Sequence, residues 1–370
     1  MKEIQSILKK AGELSVNEKA ILATVVDVIG SGYRRPGARM LIDENGFSIG
    51  TVSGGCLEAD VLERAKKVLE TNEPTVITYD TTKDENSVFG LSMGCRGIVR
   101  VLLEPFEKES FLFRVLQIAG QRRERQFIGT LVSSTNNSYI GGRIFYDRVE
   151  QFHFKNFPPN LENPEEILKD CEKFFEQNNS PEVREYNTSE NTFELFFENI
   201  NPPLKLLIFG AGYDALPLIK FAKEIGWLVT VIDHRPAFAN EERLTETDEF
   251  ILSSSEDLSD DIFQDENSVG VIMTHNYERD RNILHRLLDS KCGYIGALGP
   301  KKRMEKLLGE IGENYSPERL ERLYAPIGLD IGADSPEAIA LAIVAEIQSV
   351  LKNRRGGFLR ERKGSIYERE

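Results

Sequence analysis

The spacing of apolar positions divides the chain into two styles. From residue 204 onward, short continuous apolar runs alternate with helical stripes. Leu204–Phe209 is one such run, the pattern of a strand buried on both faces. Leu218, Phe221, Ala222 and Ile225 follow at i, i+3, i+4 and i+7, a helix that Gly226 closes. Trp227–Ile232 is a second run and ends at Asp233. Glu249–Leu252, Ser268–Met273, Cys292–Leu298 and Tyr324–Leu329 read as further strands. Tyr277–Asp289 and the stripe Met304, Leu307, Leu308, Ile311 read as helices, and Ser335 caps a last helix with Pro336 at its first position. Strands and helices in alternation predict a doubly wound parallel sheet.

The first half is patterned differently. Residues 1–18, with Ile4, Ile7, Leu8 and Ala11 on one face, read as an amphipathic helix. Ala20–Ile29, Ala38–Ile42, Phe47–Val52, Thr75–Tyr79 and Ile98–Leu103 read as strands. Asn45-Gly46 turns the second into the third, and Glu104-Pro105 closes the last. Leu57, Val61, Leu62, Ala65, Val68 and Leu69 mark a helix. After residue 111 the signal thins. Arg114–Gly120 and Pro164–Phe175 read as helices, and Phe127–Ser133, Tyr139–Gly142, Phe145–Tyr146 and Thr192–Phe197 as strands. Asn201-Pro202-Pro203 is stiff punctuation and marks a boundary.

Composition narrows the classes. The 370 residues carry a net charge of -14, which excludes nucleic acid and anionic membrane as natural partners. No apolar run spans a bilayer, and the first twenty residues lack the apolar core of a signal peptide. Four cysteines, Cys56, Cys95, Cys171 and Cys292, form no CxxC pair, which suits the cytoplasm. Cys171 falls within a helical pattern and reads as packing.

Two constellations carry chemistry. The first is Gly210-Ala211-Gly212-Tyr213-Asp214-Ala215, a G-x-G-x-x-A turn between strand and helix, with Asp233 ending the next strand. Gly210 permits the tight turn, Gly212 opens backbone N–H groups toward a pyrophosphate, and Asp233 is placed for ribose hydroxyls. Arg235 leaves NAD and NADP both open. His275, ending a strand with Asn276 and Arg279 nearby, is the acid/base candidate. The second is a pair of glycine-flanked cysteine loops. Ser53-Gly54-Gly55-Cys56 precedes a helix N-terminus, a setting that favours thiolate. Gly94-Cys95-Arg96-Gly97 precedes a strand. Arg34, Arg35 and Arg39 would add positive charge if these loops converge. A plainer alternative makes Cys56 a small buried residue at a helix start. The expected fold is α/β: an N-terminal mixed α+β domain (1–110), a middle strand and linker region belonging to it (111–203), a Rossmann-like domain (204–352) and a charged tail (353–370).

These blocks resemble a known family. GSGYRRPGARMLI, GTVSGGCLEADV and SMGCRGIVRVLLEP are similar to amino-terminal signatures of the XdhC/CoxI family of xanthine dehydrogenase accessory factors. IFGAGYDALPL, GWLVTVIDHRPAF, MTHNYERDRNIL, YIGALGPKKR and APIGLDIGADSPEAIALAI resemble its Rossmann part. The resemblance implies a protein that binds finished molybdenum cofactor, a molybdopterin, and assists its sulfuration with a cysteine desulfurase. It then delivers the cofactor to a xanthine dehydrogenase-type molybdenum hydroxylase. A homodimer is expected. On this reading Cys56, Cys95 and His275 are the reactive candidates. Gly54, Gly55, Gly94, Arg34, Arg35, Arg39, Gly210, Gly212, Tyr213, Asp214 and Asp233 are the binding candidates. Two alternatives compete with it: an NAD(P)-dependent oxidoreductase using the Rossmann half, and a thiol redox protein using Cys56 and Cys95.

Overall fold

The computed structural model describes residues 2–15, 18–80, 82, 97–108, 110–121, 123–147, 151–158, 164–177, 180–187, 192–254, 257–311 and 315–363. The chain forms two compact units, essentially residues 3–202 and 203–370.

In the first unit, α1 (Lys2–Glu13) is followed by β1 (Ala20–Gly30), β2 (Arg39–Asp43), β3 (Ser48–Gly50), α2 (Glu58–Thr71), β4 (Thr75–Asp80) and β5 (Gly97–Phe106). Then come α3 (Phe111–Gln121), β6 (Gln126–Ser134), β7 (Arg143–Asp147), β8 (Gln151–Lys155), α4 (Pro164–Gln177), β9 (Glu182–Asn187) and β10 (Thr192–Ile200). Two antiparallel five-stranded sheets result, in the orders β3-β2-β1-β5-β4 and β8-β7-β6-β10-β9.

Period-2 alternation decides what each face meets. Ile21, Ala23 and Val25 of β1 and Val101 and Leu103 of β5 pack with Val61, Ala65 and Val68 of α2. The opposite face offers Leu22, Leu41 and Phe106, which meet Ile128, Phe145 and Ile200 of the second sheet together with α1 and α3. Phe127, Phe193, Leu195 and Phe197 cover α4 on the far side. Charges share the inner faces. Arg39 pairs with Glu198, Arg143 reaches both oxygens of Glu104 at 2.5 and 2.6 Å, and Arg100 meets Glu194 at 2.6 Å. Each pair joins one sheet to the other.

Several expectations need correction here. The run Tyr139–Gly142 is not a strand. Asn137–Tyr139 is a 3-10 turn, held by the Asn136 side chain accepting from Ser138 N, and Gly141 adopts φ +80°. The strand begins only at Arg143. Strand β5 does not stop at Glu104-Pro105. Beyond Leu103 it pairs with β1 but no longer with β4, so Pro105 sits where a missing N–H costs nothing. Strands β8 and β9 were not anticipated. They are the edges of their sheet, and β9 (EVREYN) is nearly all polar, as edges tend to be.

The second unit holds β11 (Lys205–Phe209), α5 (Ala215–Glu224), β12 (Leu228–Asp233), β13 (Glu249–Leu252), β14 (Ser268–Ile272), α6 (Tyr277–Asp289), β15 (Tyr294–Ala297), α7 (Lys301–Ile311), α8 (Pro317–Leu320), β16 (Leu323–Tyr324) and α9 (Pro336–Leu351). All six strands are parallel, in the order β13-β12-β11-β14-β15-β16. That is the 3-2-1-4-5-6 order of the doubly wound dinucleotide fold. Residues of β11 divide by parity: Leu206 and Ile208 face α5 and α9, while Leu207 and Phe209 face α6 and α7. The expected strand Tyr324–Leu329 is reduced to Leu323–Tyr324. Pro326 cannot donate to a ladder and Gly328 turns with φ +108°. Ser335 caps α9 as expected, its hydroxyl accepting from Ala338 N.

Candidate functional site

In a sheet of this order the crevice opens where the chain reverses direction, beyond the carboxyl ends of β11 and β14. A cleft of about 260 Å³ lies there, lined among others by Gly210, Asp233, His234, Arg235, Thr274 and Arg279. Gly210 makes the turn possible. Its φ is +117°, and a Cβ would stand 2.5 Å from the Met273 carbonyl oxygen. Asp233, buried at the end of β12, accepts from Ala211 N at 2.7 Å and from Arg235 N and Nε at 2.9 Å. Arg235 Nη2 adds a fourth bond at 2.6 Å. Burial alone would raise the Asp233 carboxyl. The Arg235 side chain and the two backbone N–H groups overcome it and bring it down to about 2. His234 is lowered, first by burial and then by the Arg279 guanidinium, with Arg235 adding to it and Asp233 opposing.

The turn itself is crowded by an acid. Asp214 precedes α5 without capping it. A Cβ on Gly212 would lie 2.4 Å from the Asp214 carboxylate, whose other oxygen meets His275 Nε2 at 2.7 Å. His275 is exposed and held at φ +59°, an uncommon conformation for a residue with a side chain. Tyr213 is exposed, and the Arg243 guanidinium stacks on it at 4.8 Å and on Phe238 at 4.7 Å.

The cysteine loop of the first unit is built around Ser53. The Ser53 hydroxyl donates to Glu58 and accepts from Gly55 N and Leu57 N, each at 3.1 Å, while Ser53 N donates to Glu58 Oε1 at 2.8 Å. Ser53 and Glu58 thus satisfy backbone donors that the start of α2 would otherwise leave open. Burial works to raise Glu58, and these hydrogen bonds prevail and lower it. Gly55 takes φ +108°, and Cys56 is exposed with its Sγ 3.6 Å from the Ser53 Oγ. The Tyr33 ring lies where a Gly54 side chain would be, at 3.2 Å. A Cβ on Gly97 would meet the Ser31 carbonyl oxygen at 2.5 Å. The loop from Gly30 to Gly37 therefore touches both the Cys56 turn and the start of β5.

Two family models match this chain: the XdhC and CoxI family over residues 14–80 and the XdhC Rossmann domain over residues 206–347. Over 334 residues the sequence is 32% identical to a probable xanthine dehydrogenase subunit from Bacillus subtilis, covering 90% of this chain and 94% of that one. The chain belongs to the XdhC and CoxI family. This XdhC-type chain is also 24% identical to the molybdenum cofactor insertion chaperone PaoD of Escherichia coli, over 94% of its own length and 88% of the relative's. A crystal structure of a xanthine dehydrogenase from Bacillus halodurans superposes with a TM-score of 0.77 at 30% identity, covering 96% of this chain and 97% of that one.

Within this XdhC-family chain the site candidates separate. Gly210, Gly212, Tyr213, Asp214, Asp233 and His275 share the crevice end of the parallel sheet. Gly54, Gly55 and Cys56 share the serine-centred turn. Arg34 is committed to Glu3. Arg35 is half-buried. Arg39 is fully buried, and its charge is spent on Glu198 rather than on a cleft. Gly94 and Cys95 lie outside the described residues. Sequence reasoning passed over Ser53, Glu58 and Arg243. The first two had a signal, a serine ahead of a helix with an acid in its first turn; Arg243 had none. Among the described residues no helix is long and apolar enough to cross a membrane, and no group of His, Cys, Asp or Glu could hold a metal ion.

Proposed function

We propose that this protein is an accessory factor for a xanthine dehydrogenase-type molybdenum hydroxylase. It binds the finished molybdenum cofactor as cargo, assists its sulfuration together with a cysteine desulfurase, and hands it to the apo-enzyme. The observation that carries the reading is the Cys56 turn. An exposed thiol stands on a loop whose glycines bare the backbone and whose shape is fixed by Ser53 and Glu58. A soft, exposed sulfur on a fixed turn suits a ligand that bears a molybdenum centre. Likeness to a molybdenum cofactor insertion chaperone supports the same role. Cys56 and Cys95 are the sulfur-bearing residues in this proposal, and the protein acts as a homodimer.

The test is equilibrium binding of purified molybdenum cofactor to the full chain and to Cys56→Ala. Saturable binding by the unaltered chain, weakened at least tenfold in the variant, is the expected result. No saturable binding by the unaltered chain rejects the reading. The hydrogen bond between His275 and Asp214 favours a second one. A histidine oriented by a carboxylate beside a dinucleotide turn is a competent proton donor for a nicotinamide-dependent oxidoreductase. That reading requires NADH consumption that depends on an added substrate and is lost in His275→Ala.

A further inference from the structure

Charge balance in the Rossmann crevice indicates what the crevice recognises. An acid at the end of the second strand selects an unphosphorylated ribose by offering its oxygens to the ribose hydroxyls. Asp233 stands at that place, but its side chain is 2% exposed and both oxygens are occupied by Ala211 N, Arg235 N, Arg235 Nε and Arg235 Nη2. Arg235 uses two of its side-chain nitrogens on this pair and keeps Nη1. The two charges cancel.

Arg279 does not cancel. It sits in the first turn of α6, lines the same cleft, and its guanidinium makes no hydrogen bond or ion pair with the described residues. Its field reaches His234, which it lowers more than Arg235 does. The neighbouring arginines are all engaged: Arg303 with Asp280, Arg281 with Glu278, Arg286 with Asp260. Asn276 turns its oxygen to Arg279 N, capping α6, which leaves its amide donors for the cleft. Beside the closed Asp233–Arg235 pair the cleft gathers donors, Arg279, the spare edge of Arg235 and Asn276, with the Ser253 and Thr274 hydroxyls and His234 also on its wall. An acceptor-only dianion satisfies such a set. The turn before α5 has the opposite character, because the Asp214 carboxylate faces it and would repel a pyrophosphate.

We propose that the cleft beyond β12 and β14 seats a phosphomonoester, with Arg279 as its main cation. This deepens the reading above by naming the group recognised, and rests on that reading only where the phosphate belongs to the pterin. Two molecules offer the same chemistry, a ribose 2′-phosphate and the terminal phosphate of the molybdenum cofactor.

Calorimetric titration of the full chain with adenosine 2′-phosphate and with unphosphorylated adenosine isolates the first source. At least tenfold tighter binding of the 2′-phosphate, abolished in Arg279→Ala and partly kept in Arg279→Lys, supports a ribose phosphate. The second source is read by molybdenum cofactor binding. A tenfold loss in Arg279→Ala, partly restored in Arg279→Lys, supports a pterin phosphate. Circular dichroism confirms that both variants are folded. If the two adenosine ligands bind alike and Arg279→Ala leaves cofactor binding unchanged, the proposal is overturned while the accessory function stands. If the unaltered chain binds no cofactor, the function fails, and the adenosine pair alone decides: equal binding overturns the proposal.

Discussion

Arg39 and Arg279 are the same residue type in opposite circumstances, and each is representative of its unit. Arg39 lies between two antiparallel sheets, fully buried and paired with Glu198. Arg279 stands at the mouth of a parallel sheet, without a partner among the described residues. The difference follows from architecture. A sheet facing another sheet has an inner surface of alternate residues, and in the first unit those residues mix Leu102, Phe106 and Phe196 with Arg39, Arg100, Glu104 and Glu198. A parallel sheet covered by helices on both faces leaves charge only at its strand ends. There β11 and β14 are apolar through their buried middles, β12 carries one buried hydroxyl, Thr230, and no charge before its end, and the acids Asp233 and Asp280 lie at or beyond the carboxyl ends. Charge in the strands of the first unit is therefore architecture, whereas at the crevice of the second Asp233 and Asp280 are paired in place and Arg279 is the charge left over.

The largest expected effect breaks the architecture. Glu198→Ala strands the Arg39 guanidinium in the interior and should cost about 3–5 kcal/mol, read as a lower urea midpoint. Replacing both partners by apolar residues of similar volume, Arg39→Met with Glu198→Leu, should recover most of that loss. If the single and double variants are equally unstable, the pair is not what joins the sheets.

Next comes Gly210→Ala. A positive φ together with a backbone oxygen 2.5 Å from the new Cβ should cost roughly 2–3 kcal/mol. Gly309→Ala, in α7 with nothing within 4 Å of the new atom, should instead stabilise by about 0.5–1 kcal/mol. Thermal unfolding of the two variants compares them directly.

The two units should also answer pH with opposite signs. Burial raises Glu198, against the pull of Arg39 and Arg143. A raised acid favours the folded state below the ordinary carboxylate range, and that contribution is lost as pH climbs through the raised value. Asp233 is lowered from 3.8 to about 2, so its contribution is present above 3.8 and lost as pH falls toward 2. The window is worth roughly 2 kcal/mol. Asp233→Asn should flatten stability between pH 4 and about 2 and leave the slope set by Glu198 unchanged. The smallest effect on stability belongs to Cys56→Ala, less than about 0.5 kcal/mol for an exposed side chain, even where cofactor binding collapses.

Much of the second unit was legible in the sequence because its signals are local. The turn at Gly210, the helix Tyr277–Asp289 and the Ser335-Pro336 cap each lie within a few residues of what they organise. The first unit hid more. Arg39 and Glu198 are 159 positions apart, so the arginine read as a binding residue and its partner went unnoticed. The trace of the pairing was a charged residue at an inward position of an otherwise apolar strand, as in Arg39-Met40-Leu41-Ile42. Strand β9 was missed for a related reason: an edge strand needs only backbone pairing, and its polar side chains carry no alternation to detect. The cysteine turn was found through its glycines, but the serine and glutamate that shape it were not.

A serine hydroxyl has a single hydrogen, and at Ser53 that hydrogen is given to Glu58. Every other neighbour of the oxygen must then be a giver: Gly55 N, Leu57 N and the Cys56 sulfhydryl all point toward it. The polarity of the whole loop is thereby written by one carboxylate. Threonine at this position would keep that polarity, whereas alanine would unhook all four neighbours at a stroke.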